Sequence, residues 1–330
     1  MHLIPSATCQ TYVKTPIRVS GTGRDTWHIP VRYVGCPVWV SFGTSSNFLP
    51  SRARGRHWCR WSVCGPQHLA NMSILVSSLT IATQMALSHV IRGRLSEMLQ
   101  NEMLKGCLLE LVAAAEMCGT CYELVIVADN YGVYTYAVYL FLMTIWWGQS
   151  WGTATACPYS LLEEYVEVGA HPLEVVLKII CQVIGGLASF RWVKYIWMME
   201  FAQTHVGRGI DDCSADLQVP VFFGFLIECV LTCSCRIVSR ALGEIEPKFA
   251  SAIDSFFATS MVVLAFNYSG GYFNPVLATG LKWNCRGHTN TEHIIVYWAG
   301  SILGAMLSIK LWNLATVKNV LVGPFKPKED

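Results

Sequence analysis

Charge is scarce in this chain: 14% of its 330 residues are Asp, Glu, Lys or Arg, while 53% are hydrophobic and mean hydropathy is +0.39. A soluble domain carries about a quarter charged residues, so an ordinary soluble core is excluded and an integral membrane protein is read instead. The few charges nearly balance, to +2 overall, and nothing in them points to nucleic acid as a partner. No apolar stretch follows the basic residues within the first thirty positions, so no secretory signal peptide is read there. A metal framework is missing too. Among fourteen cysteines, Cys118-Gly119-Thr120-Cys121 has no second Cys-x-x-Cys to join, Cys233-Ser234-Cys235 is the other close pair, and no histidine stands at ligand spacing. Most of the cysteines lie in apolar segments, where the thiol packs as a small hydrophobe, so neither a metal nor a cofactor is expected. No nucleophile, base and orienting group occur together, and an enzyme is not expected either.

What the chain does have is apolar length. Six runs, each near the twenty residues that a bilayer crossing needs, occupy residues 104–128, 134–151, 173–198, 219–238, 249–266 and 293–312. An earlier run, 74–91, ends at Arg92 and Arg94 and is long enough for an extra N-terminal helix. Before it, residues 1–71 mix Pro, Gly, Ser and Arg, hold eight Lys or Arg against Asp25 alone, and show no helical or strand period. They read as a disordered basic leader. The expected organisation is this leader, an N-terminal helix and linker over 72–100, a membrane domain over 101–315 and a tail over 316–330. In the third core run Arg191 and Lys194 must snorkel or mark the helix leaving the bilayer. Gly185, Gly186, Gly300 and Gly304 supply small faces for close helix packing.

Loop charges orient these runs. Arg92, Arg94 and Lys105 precede the first core run, Arg236, Arg240 and Lys248 join the fourth and fifth, and Lys310, Lys318, Lys326 and Lys328 follow the sixth; Asp211, Asp212 and Asp216 share an acidic loop. The basic groups belong in the cytoplasm by the positive-inside rule. Cys213 and Cys285 then fall in loops on the opposite side, where they could pair; sequence alone does not decide it. Lys326 and Lys328, fifth and third from the end, resemble the dilysine signal that returns membrane proteins to the endoplasmic reticulum. An intracellular membrane is therefore expected over the plasma membrane.

One stretch organises the rest: Ser269-Gly270-Gly271-Tyr272-Phe273-Asn274-Pro275-Val276-Leu277-Ala278, uncharged and set among apolar residues. Pro275 fits the first turn of a helix, where its missing N–H leaves no bond unmade, and Asn274 is a good N-cap for that turn. From this decapeptide alone, an ordinary Asn-Pro turn fits as well as a half-helix starting inside the membrane. A repeat decides between them. Cys157, in Ala156-Cys157-Pro158-Tyr159, lies 47 positions after Glu110, Asn274 lies 46 after Glu228, the glutamates are 118 apart and Cys157 and Asn274 117. Two halves in register at that period, each with an interrupted segment, are the pattern of an inverted-repeat channel or transporter.

This pairing of a membrane glutamate with a downstream box, twice, resembles the aquaporins, or major intrinsic proteins. The wording of the second box looks most like the superaquaporin branch related to aquaporins 11 and 12, and the Cys-Pro-Tyr box is similar to that of insect aquaporin 12-like members. The resemblance runs from about Met72 to Trp312. It implies an all-α membrane fold: an inverted repeat of six transmembrane helices plus two half-helices, with the possible extra N-terminal helix, assembled as a homotetramer. It also implies a passive channel for water or small neutral solutes such as glycerol or hydrogen peroxide, excluding ions, with a non-conducting scaffold protein as the alternative.

The residues that would carry this are Cys157, Pro158 and Tyr159 in one box and Asn274, Pro275 and Val276 in the other. Glu110 and Glu228 are expected to accept hydrogen bonds from the loops entering the boxes, rather than to relay protons. Cys157 stands where the aquaporin pattern has asparagine, and a thiol is a weak donor that cannot replace an amide. It either caps its half-helix poorly or has a redox role. Of the glutamates after that box, Glu163 and Glu164 suit the first turns of a helix. Leu277 stands where the pattern places an arginine, and by the family's spacing the other constriction positions fall near Ala137, Val262 and Gly271.

Overall fold

In the computed structural model the described residues are 66–325, with side chains from Ser73 onward, and four three-residue strands nearer the N-terminus. Two units separate, Met1–Ser62 and Val63–Asp330. In the first, β1 (Ile17–Val19) pairs antiparallel with β2 (Thr26–His28), and β3 (Val31–Tyr33) with β4 (Cys36–Val38). These ladders lie within the stretch read as a disordered basic leader. Their β-branched and aromatic residues suit extended backbone, but three residues are too few to display a period of two.

The second unit is helical. Helix α1 (Pro66–Met98) begins before the expected leader ends and runs 33 residues; α2 (Glu102–Tyr131), α3 (Val133–Ser150), α4 (Pro158–Val168) and α5 (Pro172–Met198) complete the first half. The second half has α6 (Val221–Ile245), α7 (Ala250–Ala265), the short α8 (Pro275–Lys282) and a composite last helix. That last helix is α9 (Asn290–His293), a π-helical segment (Ile294–Gly300) and α10 (Ser301–Trp312) in series, followed by α11 (Ala315–Leu321). Within the expected tail, Val322 is buried against Ala241 and Trp312. Lys326 and Lys328 lie outside the described residues.

Local chemistry sets the boundaries. Asn101 caps α2 by accepting the Leu104 N–H at 3.0 Å, and the helix stops at Gly132 with φ +84°. Pro158, Pro172 and Pro275 each start a helix, where no N–H is missed. Among the described residues, five helices are long and apolar enough to cross a membrane: Ser73–Met98, Glu102–Tyr131, Pro172–Met198, Val221–Ile245 and Asn290–Trp312. The protein is thus an integral, multi-pass membrane protein. Two of the six expected core runs fall short of that measure. Helix α7 has 16 residues, and in α3 the tyrosines, tryptophans and terminal Gln149 and Ser150 dilute the apolar residues.

The halves pack alike. In the first, α5 lies on α2 with Gly185 against the Leu111 carbonyl; in the second, α10 lies on α6 with Gly304 against the Cys229 carbonyl. A side chain at either glycine would collide with backbone, so these positions hold the helices close. Helix α1 has no counterpart in the second half. It is tied to the bundle by the buried Arg92–Glu116 ion pair and by the Trp192 indole donating to Gln84 at 3.1 Å.

Candidate functional site

The site grows from two buried carboxylates. Glu110, on α2, accepts the Thr155 N–H at 3.0 Å and hydroxyl at 3.2 Å on one oxygen, and the Ala156 N–H and the Gln182 amide, both at 2.8 Å, on the other. Glu228, on α6, accepts the Ser269 hydroxyl at 2.7 Å and the Tyr272 N–H at 3.2 Å on one oxygen, and the Phe273 N–H at 2.8 Å on the other. A loop entering an apolar interior must satisfy its N–H groups there, and each glutamate does this for one loop.

The loops end in matching backbone. Ala156 and Phe273 are left-handed, φ +50° and +48°, and the residues after them, Cys157 and Asn274, are extended N-caps with φ −142° and −146°. At Gly271 the lack of a side chain is demanded twice. Its φ is +63°, and a Cβ there would lie 2.8 Å from the Val262 carbonyl.

The caps themselves differ. Asn274 Oδ1 accepts the Val276 and Leu277 N–H groups at 2.9 and 3.3 Å, while Cys157 makes no side-chain cap bond. Asn274 Nδ2 crosses to the other half, donating to the Ala156 carbonyl at 2.9 Å and toward Met117 Sδ at 3.4 Å.

The far ends of the two half-helices are braced differently too. Glu163 of α4 takes Arg236 at 2.5 Å and Glu167 takes Arg240 at 2.7 Å. On α8, Lys282 pairs with Asp216 at 2.8 Å, and Cys213 and Cys285 are joined in a disulfide, which settles the pairing the sequence left open. Behind α8, Thr279 accepts the Trp298 indole N–H at 2.9 Å, and Tyr297 donates to the Ser269 carbonyl at 2.8 Å from the π-helical segment.

Between these elements lies a cavity of about 420 Å³, whose wall includes Tyr159 of the first box, Asn274 of the second, and Asp216 and Gln218 in the α5–α6 loop. No protein-family model matches the chain. Among curated proteins it is 28% identical to aquaporin-11 of Milnesium tardigradum over 187 residues, 56% of this chain and 67% of that protein. It is 26% identical to aquaporin-12 of Mus musculus over 186 residues, 56% of this chain and 64% of that one. The match therefore spans about two thirds of these relatives' length. An aquaglyceroporin structure from Plasmodium falciparum superposes with a TM-score of 0.51 at 8% identity, over 66% of this chain and 99% of that one. The chain is aquaporin 11/12-like.

In this aquaporin-like chain Val262, Gly271, Asn274, Leu277 and Tyr159 line the cavity. Ala137 does not; its neighbour Tyr136 does, packed edge-to-face on Phe266 at 5.1 Å. One helical position turns a side chain by about 100°, so a one-residue offset in the family spacing moves the wall from alanine to tyrosine. Cys157, Pro158, Pro275 and Val276 are buried and are not part of the cavity wall. Sequence reasoning missed Met117, Tyr136 and Asp216. Met117 was within reach, because it follows Glu110 by two helical turns and so shares its face.

Proposed function

We propose that the chain is a passive channel for water and small neutral solutes, with glycerol and hydrogen peroxide among them, that excludes ions. The observation that carries this reading is the cavity along the N-terminus of α8, walled by Asn274, Leu277 and Tyr159. Helices α4 and α8, of 11 and 8 residues, reach about 16 and 12 Å at 1.5 Å per residue, comparable with half of a hydrocarbon core each. Their N-terminal ends carry partial positive charge, and Asn274 and Ala156 bring those ends together. A cation or a hopping proton must pass against both dipoles, whereas a neutral solute does not. Leu277 offers the permeant no hydrogen bond, so less polar solutes are disfavoured less than water is.

The same reading puts the disulfide end of the bundle on the non-cytoplasmic side, in keeping with where disulfides persist, and the chain in the endoplasmic reticulum as a homotetramer. One observation favours a non-conducting scaffold instead: both Asn274 amide hydrogens are engaged inside the protein, by Ala156 and Met117. Osmotic swelling of proteoliposomes separates the two. A channel accelerates water, glycerol or peroxide flux above protein-free vesicles; a scaffold leaves all three at the lipid rate.

A further inference from the structure

The α5–α6 loop is sewn to the second half along six residues. Cys213 is bonded to Cys285, the Arg286 N–H donates to the Cys213 carbonyl at 3.0 Å, and the Ala215 N–H donates to the Arg286 carbonyl at 2.8 Å. The Gln218 N–H then reaches the Tyr268 carbonyl at 2.8 Å. This stitching presents one charged side chain to the cavity from that loop, Asp216. Its carboxylate accepts from Lys282 Nζ at 2.8 Å and from the Tyr272 hydroxyl at 2.6 Å, yet the side chain keeps 35% of its surface exposed. Asp129 of α2 lines the same cavity, paired with Arg208 at 2.6 Å and 47% exposed. Neither cation forms part of the cavity wall; Lys282 and Arg208 line a neighbouring cleft instead.

Beside neutral groups such as Gln218, Asn267 and Tyr136, the wall thus carries two carboxylates, and their cations stand in an adjoining cleft that both carboxylates also line. A carboxylate accepts only, with about four lone-pair positions, of which Lys282 and Tyr272 occupy two. What docks there must donate hydrogen bonds, and a polyhydroxylated solute offers several donors on a short carbon chain. The rings of Tyr136 and Tyr272 in the same wall give its C–H edges an apolar surface.

Building on the channel reading, we infer that Asp216 is a specificity-determining residue of this mouth, selecting neutral polyols over water, and that the Cys213–Cys285 disulfide and Lys282 position it. Water gains less, because it brings no C–H edge to the tyrosine rings and no second hydroxyl on the same carbon chain.

The test uses the full chain in vesicles, with glycerol, erythritol and water flux measured on one preparation. Asp216→Asn keeps the shape but replaces a charged acceptor with an amide, and the polyol-to-water ratio should fall about fivefold, the difference between a charge-assisted and a neutral hydrogen bond. Asp216→Glu should retain the native ratio, which separates loss of the acceptor from loss of folding. Cys213→Ser with Cys285→Ser should lower the ratio in the same direction by releasing the loop. Polyol and water flux persisting in Asp216→Asn at the native ratio overturns this inference and leaves the channel reading standing. Absence of flux for every solute in the native protein overturns the channel reading itself, and the inference with it.

Discussion

The two loops that enter the bundle meet the same physical demand and diverge only where that demand ends. Each must bury polar backbone, and each does so on one carboxylate, Glu110 or Glu228, through N–H groups of the last residues before its half-helix. The same left-handed residue and the same extended cap follow in both. Beyond that point the halves part. The first half adds Gln182 beside its glutamate and fixes α4 with two arginines, but leaves its cap unsupported at Cys157. The second caps α8 with Asn274 and fixes its far end with a disulfide. Backbone satisfaction dictates the shared geometry, and the side chains at the tip and far end are where the halves are specialised.

The largest effect should come from removing what the halves share. Glu228→Ala leaves two buried N–H groups and a hydroxyl without an acceptor, a loss of at least about 3 kcal/mol, read as a collapse of monodispersity and melting temperature in detergent. Glu110→Ala should be less severe, because the Gln182 amide and the Thr155 hydroxyl are already 3.3 Å apart and keep each other as partners. Equal losses would break the comparison at its root.

Next in size is the brace unique to the second half. Cys213→Ser with Cys285→Ser opens a link between residues 72 apart and should lower stability by about 2–4 kcal/mol, while reductant has no further effect on that variant. The tips come third: Asn274→Ala should lose about 1 kcal/mol from the cap and also the bond to Ala156, whereas Cys157→Asn should be tolerated. If those two substitutions damage transport alike, the asymmetry assigned to the tips is wrong. The smallest effect is at His288, whose burial holds its pKa below the ordinary histidine value. The unfolded chain takes up that proton first, so stability is full above about pH 6.5 and declines as pH falls below it; His288→Asn should flatten the decline.

Much of this was legible before any coordinates. The 118-residue offset between Glu110 and Glu228 exposed the repeat, and the Pro after each box marked where each half-helix starts. Hydropathy marked the apolar helices but not their ends, since α1 and α6 continue into polar residues that helix geometry tolerates and a transfer scale does not. Tyr136 was lost to a single-residue shift, which a helix converts into a different wall. Asp216 was visible as a charge in an acidic loop, but its place in the cavity wall depends on the disulfide and the Ser214–Arg286 bridge, contacts across more than seventy residues that no local pattern encodes. The link from Asn274 to Ala156 joins the two halves and is invisible within either.

The most direct test is the position after the second box, where Leu277 walls the lumen. An arginine there would add donors for water and a positive charge beside the half-helix dipoles. Native protein and Leu277→Arg, reconstituted side by side, should be compared for water and glycerol flux on the same vesicles. The native chain should show a low ratio of water to glycerol permeability, and Leu277→Arg should raise it. A native protein that passes water while excluding glycerol and peroxide, or a ratio that Leu277→Arg leaves unchanged, would contradict the assignment of selectivity to this half.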